Sequence, residues 1–172
     1  MKKATLLICF ILSLNLAFSQ GETTSFPENA LGTYKGVLHI DSPRGKQEIE
    51  MEFHMQKTDS LNRFDYTLIY SGQARKYTLV VKDKATGSFE VDENNGIILP
   101  AKFANNTLYS FFEVQGSLLS SRMSFSKDKL DFEILFTATK NKTSTGGTSK
   151  EIPEVIGYPI TVVQKAVLKK IE

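Results

Sequence analysis

Residues 89–136 read FEVDENNGIILPAKFANNTLYSFFEVQGSLLSSRMSFSKDKLDFEILF, and this stretch decides the fold. Short runs of alternating apolar and polar residues are broken by brief clusters of Asp, Asn, Gly, Lys and Ser. Side chains alternate between the faces of a strand with a period of two, so each run reads as a strand with one apolar face and each cluster as a turn. Asn105-Asn106 makes a two-residue turn that sets Phe103 opposite Leu108 and Ala101 opposite Ser110. Asp92 to Gly96 makes a five-residue turn, with Gly96 suited to a positive φ, and sets Val91 opposite Ile97. Gly116-Ser117, with Gly first, fits a type II′ turn that sets Val114 opposite Leu119, Phe112 opposite Ser121 and Ser110 opposite Met123. Asp128-Lys129 sets Phe125 opposite Phe132 and Met123 opposite Ile134. The hairpins keep one common apolar face without a slip, which specifies an antiparallel meander.

The same alternation extends upstream. Tyr34, Gly36, Leu38 and Ile40 share one face of a first strand, and Ile49, Met51, Phe53 and Met55 share one face of a second. Pairing Ser42 with Gln47 brings these sets together across a turn at residues 43–46. Phe64, Tyr66, Leu68 and Tyr70 mark a third strand, Tyr77, Leu79 and Val81 a fourth, and Phe89 and Val91 a fifth. Downstream, Thr161 to Lys170 makes a tenth strand that closes the sheet against the first and removes both edges. Its inward face is either Val162, Gln164, Ala166 and Leu168 or Val163, Lys165, Val167 and Lys169. The expectation is an all-β, up-and-down barrel of about ten strands, a single domain over residues 32–172.

The N-terminus carries an address. Met1-Lys2-Lys3 is a short basic segment, and Ala4 to Phe18 is an apolar run of signal-peptide length, too short for a comfortable membrane span. Ala17 and Ser19 are small residues where a signal peptidase reads, so residues 1–19 are expected to be removed and the chain exported to the periplasm or beyond. Cys9, the single cysteine, lies within the apolar run, which argues against a lipoprotein and leaves no thiol for a disulfide, a nucleophile or a metal after cleavage. Lys and Arg total 21 against 19 Asp and Glu; loss of Lys2 and Lys3 makes the two equal. No basic excess then remains to attract nucleic acid or an anionic membrane. Residues 20–31 read as a polar leader, and 140–160 as one long connection whose first part, Thr143 to Ser149, contains only Ser, Thr and Gly. That first part reads as disordered, while Ile152, Val155, Ile156 and Tyr158 make the second part a segment that packs down.

Two resemblances accompany this reading. Gly32-Thr33-Tyr34 opening the first strand, with a basic residue such as Lys165 on the last, resembles the closing pair of lipocalins and calycins. There an aromatic residue, usually Trp, packs under a basic one. The strand count is closer to that of fatty-acid-binding proteins, whose helical lid after the first strand has no counterpart here. The stretches DENNGIIL (Asp92–Leu99), VQGSLLS (Val114–Ser120) and GYPITVVQKAVLKK (Gly157–Lys170) are similar to a group of exported bacterial proteins of unknown function. That similarity implies a lipocalin-like barrel and no particular activity.

Catalytic patterns are absent from the sequence: there is no GxSxG, no HExxH and no phosphate-binding loop. His39 and His54, the two histidines, alternate onto the outer face, His39 opposite Glu50 and His54 opposite Lys35, too far apart for one metal. Glu48, Glu50 and Glu52 line a solvated outer face. No metal or cofactor is expected. The inner face is apolar except for Tyr34, Tyr66, Tyr70, Tyr77, Ser110 and Ser121. An apolar cavity with a few polar groups is the usual design of a small-molecule site, so these six are candidate ligand contacts for a small apolar or amphipathic molecule. The alternative is a barrel filled by its own aromatic rings, with the serines merely making room. On the outer face the same register places Pro100, Phe111, Arg122 and Leu135 in one row with Tyr109 beside it. This is a candidate partner surface, with Arg122 stacked on Phe111, unless residues 150–160 fold over it. A ligand-holding binding protein and a non-catalytic interaction or structural module of the envelope both remain open.

Overall fold

The computed structural model describes residues 25–171. The expected signal segment, residues 1–19, lies outside the described residues. The strands are β1 (Gly32–Ser42), β2 (Gly45–Lys57), β3 (Arg63–Tyr70), β4 (Gln73–Asp83), β5 (Ser88–Asp92) and β6 (Ile98–Ala104). They continue as β7 (Thr107–Val114), β8 (Ser117–Phe125), β9 (Lys129–Ala138), β10 (Thr143–Thr145), β11 (Val155–Gly157) and β12 (Val162–Lys170). β1 to β9 follow one another around an antiparallel barrel, and β12 closes the ring between β9 and β1. β10 and β11 form a separate hairpin. The ten-stranded up-and-down barrel is the one the alternation implies.

The faces are as expected, but four registers are not. β1 pairs Ser42 with Gly45, β5 pairs Val91 with Leu99, β7 pairs Val114 with Ser117, and β8 pairs Phe125 with Leu130. Each differs by two residues from the sequence expectation. At β7–β8 the turn is Gln115-Gly116 rather than Gly116-Ser117, with φ of 49° and 72°. Positive φ at both central residues gives a type I′ turn, whose twist matches that of the flanking strands. A shift of two leaves every side chain on its face, so the apolar lining survives. At Asn105-Asn106 the expected register holds, and φ is positive at both asparagines. In β12 Ala166 and Leu168 are buried, which decides the inward set in favour of Val162, Gln164, Ala166 and Leu168.

One end of the barrel is sealed by the segment expected as a polar leader. Pro27 precedes a short 3₁₀ turn, Glu28–Ala30, and Phe26 enters the barrel end. Its ring stacks on Phe103 at 4.0 Å between centroids, meets Phe89 edge-on at 5.2 Å and lies 5.3 Å from Phe125. Tyr34, fully buried, donates its hydroxyl to the Ala30 carbonyl at 3.0 Å. The ammonium of Lys170 sits 5.6 Å from the Tyr34 ring centroid, directly across the β1–β12 pair. The aromatic–basic closing pair is therefore Tyr34–Lys170. Lys165 faces outward and binds Glu133 at 3.0 Å.

At the other end the connections are short turns and one long arm. Residues 139–161 leave the barrel beside the β7–β8 turn, where the Thr139 amide donates to Gly116, and return where the Thr161 amide donates to Phe136. Thr143–Thr145 pairs with Val155–Gly157, so the Ser/Thr/Gly stretch begins as an ordered strand rather than as a disordered one. Ile152, Val155, Ile156 and Tyr158 do not pack down; all are exposed.

Candidate functional site

Above the sealed end the barrel is not filled. An apolar cavity of about 260 Å³ occupies the half nearer the arm. Its floor contains Phe132, Met123 and Tyr66, and its walls include Leu108 and Ile134. The size follows from side-chain distribution. Phe26, Phe53, Phe89, Phe103 and Phe125 crowd the sealed half, whereas β7 and β8 place Ser110 directly opposite Ser121 in the other. Two small side chains facing each other leave space that larger ones would fill.

Five of the six expected contacts line this cavity: Tyr66, Tyr70, Tyr77, Ser110 and Ser121. Tyr34 does not, because it belongs to the sealed end. Tyr66 is buried between Phe53, at 4.9 Å, and Tyr77, at 6.0 Å, and its hydroxyl donates to the Met123 sulfur at 2.7 Å. Burial, with the neighbouring Tyr70 and Tyr77 adding to it, holds the Tyr66 phenol well above its ordinary range. Burial also pushes Tyr70 up to about 12, with Tyr77 adding and Arg75 opposing. Both are neutral hydroxyls at any ordinary pH. Among the described residues, no protein group hydrogen-bonds the hydroxyl of Tyr70 or Tyr77, and both rings face the cavity.

Two charged residues at the mouth escape a search restricted to apolar alternation. Arg75 lies opposite Leu68 on β4, two positions before Tyr77, and its guanidinium carbon is 5.6 Å from the Tyr70 ring centroid. Glu93 follows Val91 by two positions and lines the same mouth, its carboxylate accepting from the Asn95 side chain at 3.2 Å. Parity alone marks both: Arg75 shares the face of Tyr77 and Leu79, and Glu93 that of Val91.

The outer-face row is not continuous. The actual register sets Tyr109 opposite Arg122 and Arg122 opposite Glu133, while Phe111 lies opposite Ser120 and Ser120 opposite Leu135. Arg122 is bound to Glu133 at 3.5 Å and does not stack on Phe111. Phe111 is 65% exposed, Tyr109 and Pro100 are exposed and Leu135 is half-buried. The arm does not bury Phe111. The histidines also differ from expectation: His39 is opposite Glu48 and bonds it at 3.0 Å, whereas His54 lies opposite Thr33 and reaches Glu52 at 2.8 Å. Glu52 also binds Lys35 at 2.8 Å. The hydrogen bond from Lys35, then that from His54, holds the Glu52 carboxyl below its ordinary range. No group of three or more His, Cys, Asp or Glu among the described residues is placed to hold a metal ion.

Comparison with known proteins supports the fold. The barrel is similar to the crystal structure of a protein of unknown function from the DUF3598 family of Nostoc punctiforme, with a TM-score of 0.61 and 9% sequence identity. The match covers 84% of this chain and 48% of that protein, so this chain spans about half its length. No family model matches the sequence, and no curated protein matches it.

Proposed function

We propose that this chain is an exported, non-catalytic binding protein that takes a small apolar or amphipathic molecule into the open half of its barrel. The observation that carries this reading is the apolar cavity of about 260 Å³ whose tyrosine hydroxyls at Tyr70 and Tyr77 have no protein partner among the described residues. Buried or half-buried hydroxyls gain from a partner, and a ligand or water supplies it. The polar groups around the cavity are neutral hydroxyls, one guanidinium and one carboxylate; both histidines face outward. That set suits holding a molecule better than general acid–base work on it. The apolar-in, polar-out pattern suits a barrel surrounded by water, since a membrane barrel needs an apolar band outside. Export rests on the basic and apolar segments of residues 1–19.

Native mass spectrometry of the protein purified from its own host tests both parts. The expected result is a chain cleaved near Ser19 carrying one small molecule that denaturing extraction releases. NMR titration with 1-octanol then locates the site: saturable shifts are expected at Leu108, Met123 and Ile134. Ser110→Phe, which fills the cavity, is expected to abolish them. Saturable shifts that persist in Ser110→Phe, or that map to the outer face, defeat the reading. A second reading, an interaction module, is favoured by one observation: Phe111 and the arm residues Val155 and Ile156 are exposed. Loss of partner capture on substituting these three, with cavity titration intact, would select it.

A further inference from the structure

We infer that the cavity's ligand is a small monoanion, a carboxylic acid of about ten non-hydrogen atoms, with its carboxylate at Arg75 and its apolar part on Met123 and Phe132. This rests on the binding reading above and adds the charge, size and direction of the bound molecule. The cavity is polarised along its axis. Its depth is lined by apolar side chains, and its two charges, Arg75 and Glu93, are both at the mouth.

The two charges are not equivalent. Glu93 accepts from Asn95 within its own turn. Among the described residues, no carboxylate lies within ion-pairing distance of Arg75; its contact is with the Tyr70 ring. A guanidinium lying over a ring keeps its N–H edge for a planar acceptor, and a carboxylate matches that fork. The Tyr70 and Tyr77 hydroxyls beside it can donate to the same carboxylate; they could also accept from an ammonium, so the sign of the headgroup rests on Arg75. Glu93 at the same mouth partly offsets Arg75, which favours a monoanion over a dianion such as a phosphate ester. The size follows from volume. An apolar cavity of about 150 Å³ takes benzene, so 260 Å³ takes about ten non-hydrogen atoms by proportion. A medium-chain alkanoate or a single-ring aromatic acid has that size.

Calorimetric titration with octanoate, 1-octanol and octylamine separates this inference from the reading beneath it. Octanoate is expected to bind tightest, with affinity in an alkanoate series peaking near that length. Arg75→Met, which keeps the stem and removes the charge, is expected to weaken octanoate about tenfold and 1-octanol less than about twofold. Arg75→Lys, which keeps the charge but loses the fork, is expected to fall between the native protein and Arg75→Met in octanoate affinity, and Glu93→Gln to strengthen it. Equal binding of octanoate and 1-octanol, or equal losses for both in Arg75→Met, overturns the carboxylate assignment while leaving the cavity reading in place. Tightest binding of octylamine, lost in Glu93→Gln, overturns it by reversing the sign of the headgroup. Affinity still rising at dodecanoate overturns the size. Failure of all three probes to bind at millimolar concentration defeats the cavity reading and this inference together.

Discussion

Replacing Phe26 by Ala tests whether residues 25–31 are part of the folded barrel or a leader beside it. Phe26 is 3% exposed and touches three rings, Phe89, Phe103 and Phe125, with the stacked contact to Phe103 at 4.0 Å. Truncating a buried Phe to Ala costs about 3–5 kcal/mol, from lost transfer energy and the cavity left behind. The lower figure applies, because a terminal segment relaxes more readily than a strand interior. Loss of about 3 kcal/mol lowers the melting temperature by about 6–12 °C for a domain of this size. Urea denaturation followed by circular dichroism gives the direct measure, with the midpoint reduced and the slope unchanged. Octanol binding at the opposite end is expected to persist, since Phe26 is not among the cavity-lining residues. A change below about 1 kcal/mol would refute the reasoning: it would mean that the segment frays and the barrel end is sealed by something else.

Three further tests address other parts of the molecule. A methyl at Gly36 would lie 2.6 Å from the Val167 carbonyl oxygen and 3.0 Å from the Leu168 side chain, so Gly36→Ala is expected to cost about 1–3 kcal/mol in urea denaturation. Tyr66 and Tyr70 are neutral in the fold beyond the pH at which free tyrosine ionises. Their folded pKa values are raised, so the unfolded chain loses protons first and stability falls as pH climbs from about 10 to 12; Tyr70→Phe should flatten that fall in melts across this range. Replacing residues 143–157 with a short turn is expected to change stability by less than about 1 kcal/mol, because the arm's apolar side chains are already exposed; a loss of several kcal/mol would show that the arm braces the barrel.

Strand faces were legible in the sequence because alternation is insensitive to a shift of two. The same insensitivity made the registers illegible. Pairing Phe125 with Phe132 or with Leu130 buries the same faces, and only turn geometry separates the two. Asn105-Asn106 was readable because asparagine accepts positive φ at both turn positions. Gln115 was not, because glutamine carries no such mark, and Gly116 drew the turn one residue too late. The register error then spread to the surface, joining Arg122 to Phe111 when its neighbours are Tyr109 and Glu133. Five cavity residues were legible as polar interruptions of an apolar face. Arg75 and Glu93 were hidden because charge suggests solvent; both lie at the open end of the cavity.

Tyr34 shows why inward polarity alone does not identify a ligand contact. Tyr34 and Tyr77 are both tyrosines on the inward face of the barrel. Tyr34 is fully buried, and its hydroxyl is satisfied by the Ala30 carbonyl. A cation covers its ring, and its side chain completes the seal. Tyr77 is half-buried, and no described residue satisfies its hydroxyl. The difference comes from the chain that enters each end. The 3₁₀ turn brings a backbone acceptor down onto Tyr34, whereas the turns around Tyr77 bring charged side chains to the rim and leave the interior open. On the proposed reading, a barrel sealed at one end and polar at the rim of the other favours a molecule that enters apolar end first. That one-sidedness, rather than the presence of tyrosines, is why the open half is the half proposed to bind.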